Sequence, residues 1–394
     1  MKREEFLRLS ALLGISLPLQ SALIGCKKDE DNPEGENPCT SFQGNVLIIG
    51  AGPAGMSAGY LLAQQGIDFQ ILEATSTFGG RTKTNDTFAE FPIPLGAEWI
   101  HSEETIFEEI VNDSSIDVDV NMVPYDPSID YALSGGEQVS LGSIGLNLEQ
   151  KFVGSSWRDF YAEFVLPSIE DKISYNTAVQ SIDYSGDEVI VETAEGQYSA
   201  TRVIVTVPVK LLQEDAIAFT PAMPSSKQQA IDNVKVWDGF KMFLKFTDKF
   251  YPAFTIIDVQ PFWKGETLYY DAGYGQESGE NILGLVGIGK GTLPYVELSE
   301  QERTDYVLAE LDEIFEGQAS LNYVDHIYKH WNNEPYARAA YVHYYEGAQR
   351  MQKLAQPLEN KVFFAGDGYT GNLDYSSVHA AARSAKNTVE FITA

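Results

Sequence analysis

A chain of 394 residues, 44% hydrophobic and 21% charged, has the length for two cores and the composition of a globular protein, which excludes disorder as its main state. Its 27 basic residues against 57 acidic ones leave a formal net charge of −30, so a nucleic acid is excluded as the expected partner: binding a polyanion needs clustered Lys and Arg. The same charge either draws a cationic small molecule inward or simply keeps an acidic surface soluble.

At the start of the chain, Lys2, Arg3 and Arg8 precede an apolar run from Ala11 to Ile24 that Pro18 interrupts. That run is too short to span a bilayer but suits a signal-peptide core, assigned to residues 1–25. It ends Leu23-Ile24-Gly25-Cys26, which resembles the lipobox of bacterial lipoproteins. The resemblance implies an exported chain, lipid-anchored to a cell-envelope membrane through Cys26; an ordinary signal peptide or a buried helix is the plainer reading. Arg3-Glu4-Glu5-Phe6-Leu7-Arg8 is also similar to a twin-arginine signal, with Glu4 where the second Arg belongs. Residues 26–43 read as a tether, rich in Asp, Glu, Asn and Pro and without apolar periodicity. Once Cys26 is lipidated Cys39 is the only thiol left, which excludes an intramolecular disulfide and a Cys-based metal site.

Asn45-Val46-Leu47-Ile48-Ile49 is a continuous apolar run, as expected of a strand buried on both faces. It leads into Gly50-Ala51-Gly52-Pro53-Ala54-Gly55, and Ala54 to Gln65 then has helical spacing with Gly66 placed to cap it. Phe69 to Glu73 is a second strand, followed by Ala74. A GxGxxG loop between a strand and a helix, with an acidic residue at the end of the next strand, predicts dinucleotide binding. The glycines admit a pyrophosphate to the backbone, the helix N-terminus supplies N–H donors, and Glu73 is placed to bind ribose hydroxyls. NAD and FAD share this fingerprint. Further strands are predicted at Asp187 to Thr193, Gln197 to Pro208, Phe240 to Phe246, Asn281 to Gly287 and Val362 to Ala365, with helices over Ser299 to Phe315 and Val378 to Ile392. Gly284 to Lys290 fits most of a P-loop, but Gly291 fills the Ser/Thr position that ligates Mg²⁺. His326 and His330 have helical metal-site spacing, yet the alternation from Tyr323 to Trp331 reads as a strand, which would hold them too far apart to share an ion. No metal is expected.

Phe78-Gly79-Gly80-Arg81-Thr82 follows the second strand, and here the chain resembles the flavin amine oxidases of the monoamine and polyamine oxidase kind. Where that family usually has an Arg ahead of Gly-Gly, Thr75, Ser76 and Thr77 stand instead. Further blocks carry the resemblance: Leu95-Gly96-Ala97-Glu98-Trp99-Ile100-His101, Tyr175 to Ile182 around Val179, Gly239 to Leu244, Trp331 to Tyr341, Gly366-Asp367 and Ser377-Val378. It implies that Gly50, Gly52, Pro53, Ala54, Gly55, Glu73, Ala74, Gly80, Arg81, Gly96, Ala97, Glu98, Trp99, Val179, Gly366, Asp367, Ser377 and Val378 contact FAD. Lys241 would hold a water against flavin N5, although an isolated strand Lys is ordinarily a solvated charge. Tyr341 would form one wall of an aromatic cage, with Ser377 in place of the second wall and Tyr375 two positions earlier. Trp331 and His101 would complete the catalytic set, His101 as a proton acceptor or as a structural histidine. Ala340 stands where some members attach flavin through Cys, which implies noncovalent FAD. Trp99 stands near where amino-acid oxidases grip a carboxylate with Arg, which favours an amine.

The fold implied is α/β, a discontinuous Rossmann-like FAD-binding domain (44–100, 172–212 and 355–394) with an α+β substrate domain of the amine oxidase type (101–171 and 213–354). The reaction implied is oxidation of an amine by hydride transfer to flavin N5, giving imine, then aldehyde, with O₂ reduced to H₂O₂. A different flavin reaction (an amino-acid oxidase or desaturase) and a non-catalytic FAD-binding protein remain as alternatives.

Overall fold

The computed structural model describes residues 42–125, 131–133, 149–256, 265–344 and 347–394; the signal, the lipobox at Cys26 and Cys39 lie outside them. Asn45–Ile49 is a strand with parallel neighbours on both sides, Asp68–Leu72 and Arg202–Val205. Being central, it buries both faces, and for this reason its sequence is apolar without alternation. Val362–Phe364 and Ile173–Ser174 complete a five-stranded parallel sheet among the described residues.

Two helices, Pro53–Gln64 and Val378–Thr393, pack together on one face of this sheet. Gly66 follows the first helix at φ 68°, donating its N–H to the Ala63 carbonyl. The second is capped by Ser377, whose hydroxyl accepts from the Ala380 N–H. On the opposite face, Leu47, Ile49, Val203, Val205 and Phe364 pack against a four-stranded sheet that includes Val179–Asp183 and Val189–Thr193.

The second large sheet is six-stranded among the described residues, in the order 323–330, 239–246, 281–289, 265–271, 254–256, 131–133. Its Gly239–Phe246 strand sorts by the period of two: Phe240, Met242, Leu244 and Phe246 join one cluster, while Phe243 joins the other. The first cluster is covered by the helix Glu300–Ile314 through Val307 and Leu311. That helix begins at a reciprocal capping box of Ser299 and Glu302. The second cluster joins Phe243, Tyr270, Val286 and Ile288 to Leu95, Trp99 and Tyr341, and so faces the interior. The P-loop-like glycines lie within the Asn281–Gly289 strand, where Gly284 makes room for the Tyr270 ring. Tyr323–His330 is a strand at the edge of this sheet, as its alternation predicts.

Three segments pack elsewhere than the expected domain boundaries put them. Ile106–Val111 and Trp157–Phe164, assigned to the substrate domain, bury Ile106, Phe107, Trp157, Phe160 and Tyr161 in the core of the first helix pair. Ala218–Thr220 pairs with Val179–Asp183. Large aromatic side chains decided the placement of the two helices, because they bury most area against the Ala- and Gly-rich helix Pro53–Gln64.

Candidate active site

One cavity of 990 Å³ runs from the glycine loop to the inner face of the six-stranded sheet. Gly50, Gly52, Glu73, Arg81, Val179 and Asp367 line one part of it, and Glu98, Trp99, Lys241, Trp331, Tyr341 and Ser377 line another.

At the glycine end, Gly50 has φ 105°, a left-handed conformation that favours glycine. A Cβ on Gly55 would lie 1.9 Å from the Gly50 carbonyl, so the helix can leave the strand this closely only with Gly there. Gly52 meets nothing nearer than Gly80 at 4.0 Å, which leaves the helix N-terminus open to the cavity. The Ala54 and Gly55 N–H groups lie in the first helical turn, where no intrahelical acceptor exists. Glu73 is buried; it accepts from the Ala51 N–H at 2.7 Å and from Thr75 N–H and Oγ1 at 2.9 and 2.7 Å. Its carboxylate therefore also fixes the glycine loop. Pro53, Ala54, Ala74 and Val179 border the same cavity.

The middle of the cavity is braced by Arg81. Its guanidinium donates to Asp367 through both terminal nitrogens, at 3.1 and 2.5 Å, and to the Ala340 carbonyl at 2.5 Å. Gly96 is forced by proximity: a Cβ there would lie 1.9 Å from the Arg81 carbonyl and 2.8 Å from the Trp331 ring. Arg158 packs over the Phe78 ring at 4.5 Å and donates to Thr77 Oγ1, holding the Gly79-Gly80 turn from outside.

Lys241 is buried, and its ammonium donates to Glu98 Oε2 at 2.8 Å, the Pro94 carbonyl at 3.1 Å and the Tyr270 hydroxyl at 3.3 Å. An ammonium has three N–H donors, so these partners account for all of them. The ammonium is thus ion-paired to Glu98 at the cavity wall. Burial pushes the Lys241 ammonium below its usual range, while the charge of Glu98 and its hydrogen bond draw it back up. Glu98 is equally buried, and its other oxygen lies 3.2 Å from Lys151 Nζ. Burial opposes charge on Glu98, but the Lys241 and Lys151 ammonium groups outweigh it and hold the carboxyl below its usual range. Tyr270 donates to Glu98 Oε2 at 2.5 Å; burial, then the adjacent carboxylate, keep its phenol well above the usual range and protonated.

Trp331 is buried, with its indole N–H on the Leu95 carbonyl at 2.8 Å. Tyr341 meets Trp237 edge to face at 5.8 Å, and Trp237 stacks on His343 at 3.8 Å. His101 is exposed at the cavity wall. Ser377 also lines the cavity, but its hydroxyl caps a helix and lies 3.1 Å from His379 Nε2. Tyr375 lines the wall as well, so an aromatic side chain is available near Ser377. Ala97, Gly366 and Val378 line the cavity too.

Sequence reasoning missed Lys151 and Tyr270. Lys151 lies on Glu149–Phe152, whose four residues carry no apolar alternation; Tyr270 was legible only as one of several aromatics in a strand. The cluster of Lys83 and Lys329 on Glu334 was missed too, Lys83 standing 3.3 Å away and Lys329 in direct contact.

A family model described as flavin containing amine oxidoreductase matches residues 162–393, more than half of the chain. One described as an NAD(P)-binding Rossmann-like domain matches residues 48–113. The human lysine-specific histone demethylase 2 is 25% identical over 415 residues, 82% of this chain and 50% of its own. The chain thus spans about half the length of that relative. Polyamine oxidase 2 of Arabidopsis thaliana is 22% identical over 428 residues, 86% of this chain and 85% of its own. Among solved structures, putrescine oxidase bound to putrescine aligns with a TM-score of 0.71 at 16% identity, over 89% of this chain and 99% of that one. Cyclohexylamine oxidase from Brevibacterium oxydans aligns with a TM-score of 0.72 at 16% identity, over 89% and 98%. At these identities the structures speak for the fold.

Proposed function

The chain belongs to the flavin containing amine oxidoreductase family, and on that footing we propose that it oxidises a small amine, with noncovalent FAD as cofactor and O₂ as electron acceptor. The observation that carries the reading is that the glycine loop and the Lys241–Tyr341 wall open into the same cavity.

The residues present fit FAD. Gly52 and Gly80 leave the helix N-terminus open for a pyrophosphate, and Glu73 borders the same end for a ribose. Val179 borders the adenosine end, while Gly96, Ala97, Glu98, Trp99, Gly366 and Val378 border the rest. Ala340, which brings no nucleophile, supports noncovalent attachment. When bound, FAD supplies the hydride acceptor, at N5.

The chain's own residues have four tasks. They bind the amine, hold its α-carbon at the reacting distance, keep its nitrogen neutral and exclude bulk water. Tyr341 lines the cavity, where an aromatic ring attracts the cationic form of an entering amine and packs its apolar carbon. Trp99, Trp331 and Tyr125 wall the cavity with apolar surface. His101 stands at the wall within reach of solvent, suited to pass a proton outward. The amine leaves as an imine, which water hydrolyses to an aldehyde, and O₂ leaves as H₂O₂.

The experiment is to purify the protein, add candidate amines without oxygen and follow the yellow absorbance of oxidised flavin. Bleaching by an amine supports the reading. Bound flavin that no amine bleaches overturns it in favour of a non-catalytic flavoprotein or another flavin reaction.

Export and lipid anchoring through Cys26 belong to the same proposal, on the strength of Lys2, Arg3 and Arg8, the apolar run and Leu23-Ile24-Gly25-Cys26. Metabolic labelling with a radioactive fatty acid, retained by the natural chain and lost in C26S, tests it.

A further inference from the structure

Residues 373–377 form a stretch of cavity wall that belongs to no helix or strand, and the chain holds it from several sides. Ser376 stands at φ 64°, a left-handed conformation uncommon outside glycine. Its N–H donates to the Asp367 carbonyl at 3.1 Å and its hydroxyl to the Val342 carbonyl. At the centre is Asp374, whose carboxylate accepts from Arg383 Nη1 at 3.1 Å and faces His379 Nε2 at 2.9 Å. Arg383 also donates to Glu109 through Nε at 3.0 Å and Nη2 at 2.9 Å, which ties this wall to the helix Ile106–Val111. The ionisable groups around Asp374 are thus Arg383 and His379, both on the helix Val378–Thr393, with Glu109 behind the guanidinium. The hydrogen bond with His379, and then the Arg383 guanidinium, hold the Asp374 carboxyl below its usual range against the effect of burial.

The polarity of the neighbouring Ser377 follows from these partners. An ionised carboxylate only accepts, so His379 Nε2 carries a hydrogen toward Asp374. A protonated Nε2 cannot accept from Ser377 Oγ, which lies 3.1 Å away. Ser377 Oγ also accepts from the Ala380 N–H at 3.2 Å. Both contacts engage lone pairs of the oxygen and neither engages its hydrogen, and Ser377 lines the cavity. We infer that Asp374 is a positioning residue that, through His379, sets Ser377 as a hydrogen-bond donor toward the cavity, where Ser377 selects the neutral form of an amine. A neutral amine has a lone pair to accept that hydrogen, whereas an ammonium has only donors. Arg383 fixes Asp374 for this task by joining it to Glu109. The consequence for the amine rests on the proposed oxidase reading; the hydrogen-bond polarity does not.

The probe is tert-butylamine, whose carbon next to nitrogen bears no hydrogen, so that it can occupy the site without being oxidised. Its binding to the FAD-loaded protein is followed by flavin absorbance between pH 7.5 and pH 9.5 in the natural protein, D374A and D374N. The neutral fraction of such an amine grows about tenfold per pH unit in this range, and the apparent affinity of the natural protein is expected to rise with it. In D374A His379 is free to take its other tautomer and accept from Ser377, so the rise is expected to be lost. D374N keeps an acceptor for the Nε2 hydrogen and is expected to keep the rise. A merely structural Asp374 would weaken binding by one factor at every pH. A carboxylate acting through its charge alone would attract the ammonium, so its removal would steepen the rise. Either result overturns the inference, and so does an affinity of the natural protein that does not rise. Should D374A not fold, ¹⁵N NMR of the His379 ring in the natural protein decides, its signal assigned by its loss in H379Q. A hydrogen on Nε2 is expected, and one on Nδ1 alone overturns the proposal. Bound flavin that no amine bleaches would sink the oxidase reading while leaving the tautomer able to decide the polarity.

Discussion

Arg81 and Asp367 stand 286 positions apart in the chain, yet the guanidinium of one grips the carboxylate of the other through two hydrogen bonds. This clamp joins the turn after the second parallel strand to the segment after the last one, across the cavity.

Removing the clamp should show in cofactor retention before it shows in folding. Each charge-assisted bond of this kind contributes about 1.5–3 kcal/mol. R81A is expected to weaken FAD binding by roughly tenfold or more, and R81K to recover only part, since an ammonium offers no fork. Fluorescence titration of the FAD-free protein with FAD measures both; unchanged affinity in R81A would refute the assignment.

Gly55 has no room for a side chain. A methyl group there meets the Gly50 carbonyl at 1.9 Å, against backbone that cannot swing away. G55A is expected to cost about 1–3 kcal/mol in denaturant unfolding, as overpacking does, and to lose bound flavin on purification. A G154A control changes a glycine whose added Cβ meets nothing within 4 Å, although its φ of +64° still adds strain, so its smaller loss isolates the effect of the clash.

Ser377 separates two readings of one residue. As a helix cap, S377A should cost about 1 kcal/mol, while S377G should cost only a few tenths. As a substrate wall alone, both changes would leave stability untouched and alter KM. Chemical unfolding alongside amine kinetics distinguishes them, and the hydrogen bond to the Ala380 N–H predicts the first pattern.

Lys227 gives the protein a pH dependence unrelated to catalysis. Its ammonium is buried, 3.6 Å above the Phe364 ring, and donates to the carbonyls of Lys353, Leu354 and Gln356. Burial, helped by Lys353, pushes its pKa down to about 7. The unfolded value is about 10.4, so the cost of burying the charge is fully present below pH 7 and is relieved as pH rises toward the unfolded value. The natural protein should therefore gain stability relative to K227M by about 2 kcal/mol between pH 7 and pH 9. A difference that stays flat over this range would show that the ammonium is not the titrating group.

Much of this protein could be read without coordinates. The Gly50 to Gly55 loop, the two strands flanking it and the alternation of Gly239–Phe246 are local patterns, set by glycine conformation and by strand periods of two. The capping residue Ser299 is legible for the same reason, since its partner Glu302 lies three residues away. The placement of Trp157–Phe164 was not legible, because which core an aromatic helix fills depends on the surface offered to it.

By itself, then, the sequence determined the dinucleotide loop, the order of the strands along the chain and the identity of the flavin family's blocks, all properties of neighbouring residues. Only the tertiary structure decided what surrounds Lys241. Its partners Glu98 and Tyr270 lie 143 and 29 positions away, and Lys151 reaches Glu98 from a strand without a sequence signature. The physical reason is that a buried charge takes its state from whatever surrounds it, and three segments distant in the chain meet to make that surrounding.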